Sequence, residues 1–133
     1  MKKLGEFMIQ VLIPQNPDFK KYEKEIKALY EDNQSKICDN NSFNFIKNNT
    51  LFYLFISDGK VLGAIYYFVY DKKLFLNGFA KRKSLAKNLF CLLWSTTWFT
   101  KDIYAEAQNK ASAFCLLRCG FKRVKENLFV LKK

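Results

Sequence analysis

Histidine is missing from this 133-residue chain, and with it go the Ser-His and Cys-His pairs in which a neighbouring base activates the nucleophile. No Cys-x-x-Cys occurs either. A zinc ion would need all four thiols, Cys38, Cys91, Cys115 and Cys119, at spacings unlike those of zinc sites. Cys115 and Cys119 lie one helical turn apart and read more simply as small buried hydrophobes, so no metal is expected. Arginine is scarce, at three residues against twenty lysines. Arginine is the better reader of bases and phosphates, and the lysines are scattered along the chain. The formal net charge of +11 therefore favours an anionic partner in general. It does not mark a nucleic-acid face, and a basic nucleic-acid-binding module stands only as an alternative. Long apolar runs are absent as well. The longest, Val61–Tyr70, is far shorter than the about 20 residues of a membrane helix. Met1–Gly5 lacks the apolar core and small-residue cleavage site of a secretory signal. A soluble, cytoplasmic protein with no membrane partner is expected.

Apolar area is present in quantity. Half the residues are hydrophobic, with 14 Phe, 7 Tyr and 2 Trp, which is ample for one core in a chain of this length. We expect a single domain over residues 1–133.

Met8–Ile13 reads as a first strand closed by Pro14 and Pro17. Asn16 and Asp18 offer capping oxygens to a helix whose apolar positions are Phe19, Tyr22, Ile26, Leu29 and Tyr30. Glu31–Asn49 is a polar loop holding a short second helix around Phe43–Ile46. The period then changes. Leu51–Ile56, Val61–Tyr70 and Lys73–Phe79 are aromatic and β-branched runs joined by Ser57-Asp58-Gly59-Lys60 and Asp71-Lys72, a meander of three antiparallel strands. A helix follows with Leu85, Leu89, Leu92 and Leu93 as its buried stripe. Then come a strand at Ile103–Ala107, a helix capped by Asn109 and closed by Gly120, and a hairpin from Phe121 to Leu131. This order predicts an α/β (α+β) fold: a mixed, mostly antiparallel sheet of about six to seven strands with helices on both faces. One parallel pairing is expected where the central helix connects two strands.

The stretch LNGFAKRKSLAKNLFCLL, Leu76–Leu93, poses a charge problem. Lys81, Arg82, Lys83 and Lys87 surround the start of a helix, an end that is already electropositive. A negative ligand would resolve the conflict. The residues here resemble the GNAT superfamily of acetyl-CoA-dependent N-acetyltransferases, whose phosphate loop, Q/R-x-x-G-x-G/A, opens the central helix. Lys81 stands for the Gln/Arg, Ser84 for the first glycine and Ala86 for the second small residue. The family's second signature, N-x-x-A, an aromatic pair and Gly-Phe, falls on Asn109, Ser112, Cys115-Leu116 and Gly120-Phe121. The likeness covers roughly Leu51 to the C-terminus, and short GNAT-like proteins of bacteriophages are similar too.

The resemblance implies acetyl-CoA as cosubstrate and an amine acceptor of unknown identity. Its pyrophosphate would rest on the free amides of a helix N-terminus near Lys81, Arg82, Lys83, Ser84, Leu85 and Ala86. Its pantetheine arm would bind the strand backbone at Leu76, Asn77 and Gly78, with Asn109 and Ser112 opposite. The family's tyrosine acid is replaced by Leu116, which leaves Tyr104 or Ser112 to protonate the thiolate, or no acid at all. Glu106, pointing away from Ala105 and Ala107, is the expected base, with an apolar surround raising its pKa. Acceptor specificity is expected in the first-helix region and the last hairpin. Tyr66 and Phe68 offer a possible face for a homodimer.

Overall fold

The computed structural model describes residues 2–4, 7–36, 40–81 and 85–133. Its centre is the meander β3 (Leu51–Ser57), β4 (Lys60–Tyr70) and β5 (Lys73–Ala80). Both connecting turns use left-handed residue pairs, Asp58-Gly59 at φ 50° and 78° and Asp71-Lys72 at φ 51° and 61°. Such turns match the twist of the strands they join. Around the meander lie β1 (Lys2–Leu4), β2 (Phe7–Leu12), β6 (Ile103–Glu106), β7 (Lys122–Lys125) and β8 (Leu128–Leu131). The eight strands form one sheet in the order β1-β2-β3-β4-β5-β6-β8-β7. Every pairing is antiparallel except β5 with β6. This is the expected mixed sheet. The strand beyond the seven read from sequence is the three-residue β1, folded back on β2.

Side-chain alternation divides the core into two layers. On one face α1 (Glu23–Asn33) and α2 (Phe43–Asn49) bring Ile26, Tyr30, Phe43 and Ile46 against Phe52, Leu54, Tyr66 and Phe79. On the other, α3 (Leu85–Thr96) and α4 (Lys110–Arg118) bring Cys91, Leu92, Leu116 and Cys119 against Phe55, Ile65, Tyr67, Ile103 and Phe129. Tyr66, expected on a dimer face, is 1% exposed; it packs between Phe52 and Phe79, because the first two helices cover that part of the sheet. Tyr67 points the other way, and its hydroxyl donates to Ser95 Oγ at 2.8 Å while Ser95 donates to the Leu92 carbonyl at 2.9 Å. Burial holds the Tyr67 phenol well above its ordinary pKa, so it acts as a neutral strut between β4 and α3.

One irregularity positions everything that follows. Phe55 pairs with Gly63 and Ile56 with Val61, which leaves Leu62 as an extra residue in β4. Such a bulge bends and twists its strand. Here it sits opposite the end of β5, where Gly63 pairs with Ala80 and the Lys81 N–H donates to the Leu62 carbonyl at 2.9 Å. A Cβ on Gly63 would come within 2.3 Å of the Phe79 carbonyl oxygen, so only glycine permits this approach. The end of β5 is thereby held to β4.

Candidate functional site

β5 and β6 run together for Leu74↔Ile103, Phe75↔Tyr104 and Leu76↔Ala105, and there the pairing stops. Beyond Leu76, β5 stays with β4 through Ala80, whereas β6 stays with β8 through Glu106↔Leu128. The strands part, and the backbone of β5 is left facing a gap. The Gly78 N–H marks the direction: it is bound by the Asn77 side-chain oxygen at 2.8 Å and not by a strand. Main-chain groups of alternate residues point to the same side of a strand, so Leu76, Gly78 and Ala80 present theirs toward the gap.

A cavity of about 720 Å³ fills the opening, within the range of small-molecule and cofactor sites. It passes through the sheet. Leu85, Asn88, Cys91 and Leu92 of α3 and Ala111, Ser112, Cys115 and Leu116 of α4 line one end, while Asn33, Asn77 and Glu106 line the other. Most of the lining is apolar or small. The Asn109 side-chain oxygen caps α4 by accepting from the Ser112 N–H at 2.8 Å. Gly120, at φ 94°, closes that helix, with the Phe121 N–H on the Leu116 carbonyl and the Gly120 N–H on that of Leu117, the two bonds of a Schellman ending. Asn109 and Leu116 are thus fixed by opposite ends of one short helix.

Of the residues expected at the site, Leu76, Asn77, Gly78, Lys81, Leu85, Glu106, Asn109 and Ser112 all line the cavity. Arg82, Lys83 and Ser84 lie outside the described residues. Ala86 is exposed and Tyr104 is not part of the lining. Tyr104 sits instead against Phe75, with ring centroids 5.7 Å apart, and under the Lys73 ammonium at 5.4 Å. Glu106 is exposed to solvent at the cavity rim, so the apolar surround expected for it is not there; the short β6 ends at this residue. Lys81 is not simply a loose cation, since its ammonium is ion-paired with the Glu25 carboxylate of α1.

Cys91 and Cys115 also line the cavity, and both are free thiols. Desolvation pushes the Cys91 thiol up to about 12 and raises Cys115 as well, so both are poor nucleophiles at neutral pH. Cys38 lies outside the described residues. Sequence reasoning passed over Asn33, Asn88, Gln108 and Lys110, which also line the opening. Asn88 is three residues after Leu85, on the same helical face, and donates to the Lys81 carbonyl at 3.3 Å; helical spacing was a signal for it. Asn33 had none, being at the far end of α1. Among the described residues no three ligand-type side chains converge as a metal site, and no helix is long and apolar enough to cross a membrane.

No protein-family model and no curated protein sequence matches the chain. Solved structures do. The acetyltransferase of GNAT family from Streptococcus pneumoniae aligns over 94% of this chain and 97% of its own, with TM-score 0.59 and 12% identity. The N-acetyltransferase PseH of Campylobacter jejuni in complex with acetyl coenzyme A aligns over 96% and 99%, with TM-score 0.58 and 15% identity. N-acetylglutamate synthase from Neisseria gonorrhoeae, complexed with coenzyme A and N-acetyl-glutamate, aligns over 89% of this chain at TM-score 0.58 and 13% identity, but the chain spans only 29% of that protein. The shared property is the fold, and that fold is the GNAT fold.

Proposed function

We propose that the chain transfers an acetyl group from acetyl-CoA to an amine by direct attack within a ternary complex. The observation that carries this reading is the parting of β5 from β6 beyond Leu76, with a cavity running through the sheet at that point. The residues present fit the cosubstrate. Gly78 and Ala80 turn backbone groups toward the gap, where an extended amide-bearing arm would bond as an added strand does, taking the Gly78 N–H in place of the Asn77 side-chain oxygen. Gly78, Ala105, Ala111 and Ser112 keep the lining small. The start of α3 offers the positive end of a helix where an anionic tail would emerge, and Lys81 would add its charge by exchanging Glu25 for that tail.

Acetyl-CoA supplies an activated thioester carbonyl, and the chain's own groups manage the protons. Glu106, at the rim on the α1–α2 face, takes the proton of the incoming ammonium, directly or through water. The freed amine attacks the carbonyl carbon, a C–N bond forms and the C–S bond breaks. Ser112 is the one hydroxyl among the described lining residues; it passes its proton to the departing thiolate and takes up the proton that the acylated nitrogen sheds, so it ends as it began. Leu116, 5% exposed, packs where a tyrosine would otherwise reach.

Leu116 also supports a second reading, in which the protein binds CoA without turning it over. One experiment separates the two. At ligand near 100 times Kd, binding stabilises the native state by about 2.7 kcal/mol, so CoA should raise the melting temperature by several degrees. Acetyl-CoA plus a broad amine panel should then release free thiol. A thermal shift without thiol release selects the second reading, and no shift rejects both.

A further inference from the structure

α1 and α2 pack on β3, β4 and β5, and the sheet beyond them carries a row of rings on the same face. Phe68, Phe75, Tyr104 and Val130 are successive register partners across β4, β5, β6 and β8. Phe68 and Phe75 stack at 5.9 Å and 12°, Tyr104 follows at 5.7 Å, and Tyr70 meets Phe75 edge-on at 6.0 Å. Phe68, Phe75 and Tyr104 are half-buried and Tyr70 is exposed. One row along the strands, roughly 7 Å away, Asn77 and Glu106 share this face and also line the cavity. One row in the opposite direction stands Lys73, pairing with Tyr70. The face therefore runs from an acidic rim, over aromatic rings, to a cation.

We propose that the acceptor is a monoamine carrying an aromatic ring two or three methylenes from its nitrogen, seated with the ammonium at Glu106 and the ring on Phe75 and Tyr104. This deepens the transferase reading and rests on it. The charges are complementary in one orientation only. An ammonium at the rim meets Glu106, whereas a second ammonium one row away would meet the Lys73 ammonium, which lies over the Tyr104 ring at 5.4 Å. Phe75 is stacked on Phe68 and Tyr104 lies under the Lys73 ammonium, so an acceptor ring would meet the half-buried row edge-to-face, a geometry that aromatic partners prefer. Tyr104 thus becomes a specificity residue that holds the acceptor body, in place of the proton donor expected from sequence.

The test compares 2-phenylethylamine, n-butylamine and putrescine as acceptors for the full chain with acetyl-CoA. We expect kcat/KM for 2-phenylethylamine to exceed that for n-butylamine by roughly tenfold or more, with putrescine poorer still. Tyr104→Ala should raise KM for the aromatic amine by about tenfold and erase the preference, leaving KM for acetyl-CoA and the CoA-induced thermal shift unchanged. Tyr104→Phe should keep the preference, because the ring and not the hydroxyl is used. Lys73→Gln should narrow the gap between n-butylamine and putrescine. Equal use of n-butylamine and 2-phenylethylamine, or a preference that survives Tyr104→Ala, overturns this acceptor assignment while leaving acetyl transfer intact. Absence of transfer to every amine overturns the transferase reading and this inference with it.

Discussion

Asn109 caps α4 and, under the proposed function, also holds the ligand; the two roles can be pulled apart by mutation. Its oxygen caps α4 through the 2.8 Å bond from Ser112 N–H, while its amide is the group available to a ligand in the cavity it lines. Asn109→Ala removes both. Loss of an N-cap costs about 1 kcal/mol, which for a domain of this size lowers the melting temperature by roughly 3–6 °C. Asn109→Asp and Asn109→Ser keep a capping oxygen, and Asp also suits the positive end of the helix, so both should melt near the wild type. Neither has an amide to donate. A lost hydrogen bond of about 0.5–1.5 kcal/mol corresponds to a Kd for CoA raised roughly 2–13-fold. The neutral Ser variant guards against a charge effect from Asp. Melting curves and calorimetric titration with CoA, run on all three variants, give the two axes. If Asn109→Ser binds CoA as tightly as the wild type, the amide has no ligand role and Asn109 is a cap alone.

Two further perturbations bear on the close approach at Gly63 and on the Asp102 carboxylate, which accepts from the Lys133 backbone N–H at 2.8 Å and pairs with Lys132. Gly63→Ala places a methyl 2.3 Å from the Phe79 carbonyl oxygen and 2.7 Å from Ala80 Cα, so backbone must move; a loss of about 1–3 kcal/mol or more should lower the urea midpoint by on the order of 1 M, and a wild-type midpoint would refute the close approach. Asp102 has its carboxyl held below the ordinary 3.8, first by the Lys133 backbone N–H and then by Lys132. A depressed folded pKa contributes stability above the unfolded value that is lost as pH falls through the folded one. Asp102→Asn should accordingly flatten the slope of urea midpoint against pH below about pH 4, with no change in slope above pH 6; an unaltered acid limb would show that the C-terminal contacts do not tune it.

Local chemistry explains what could be read from sequence. Asp58-Gly59 and Asp71-Lys72 announce their turns because few residues adopt positive φ, and Asn109 and Gly120 announce the ends of α4 because helix termini need partners. The bulge at Leu62 left no such mark. It reverses the facing of β4, so that Val61 and Ala64, three apart, enter the same core layer, and plain alternation over Val61–Tyr70 conceals this. The burial of Tyr66 depends on helices contributed by residues 23–49, and the Lys81–Glu25 pair joins positions 56 apart; neither follows from a neighbouring residue. Alternation set Glu106 opposite Ala105 and Ala107, which are buried, and Tyr104 shares the Glu106 face. That face passes from a cavity wall to a ring-lined surface within two residues, a division set by where β5 and β6 stop pairing, which is a tertiary fact.

The brief union of β5 and β6 has a mechanical corollary. Strands β1–β5 form one ladder and β6–β8 another, and among the described residues three pairs are the sheet pairing that fastens them. If the proposed function holds, a guest threaded between the ladders bonds to both banks of the fissure and completes a weave that the polypeptide leaves unfinished. Cohesion of the two halves otherwise rests on the core that Ile103 and Phe129 share with Phe55 and Tyr67; under the proposed function, a guest would add to it, and stiffness across the fissure would report its presence.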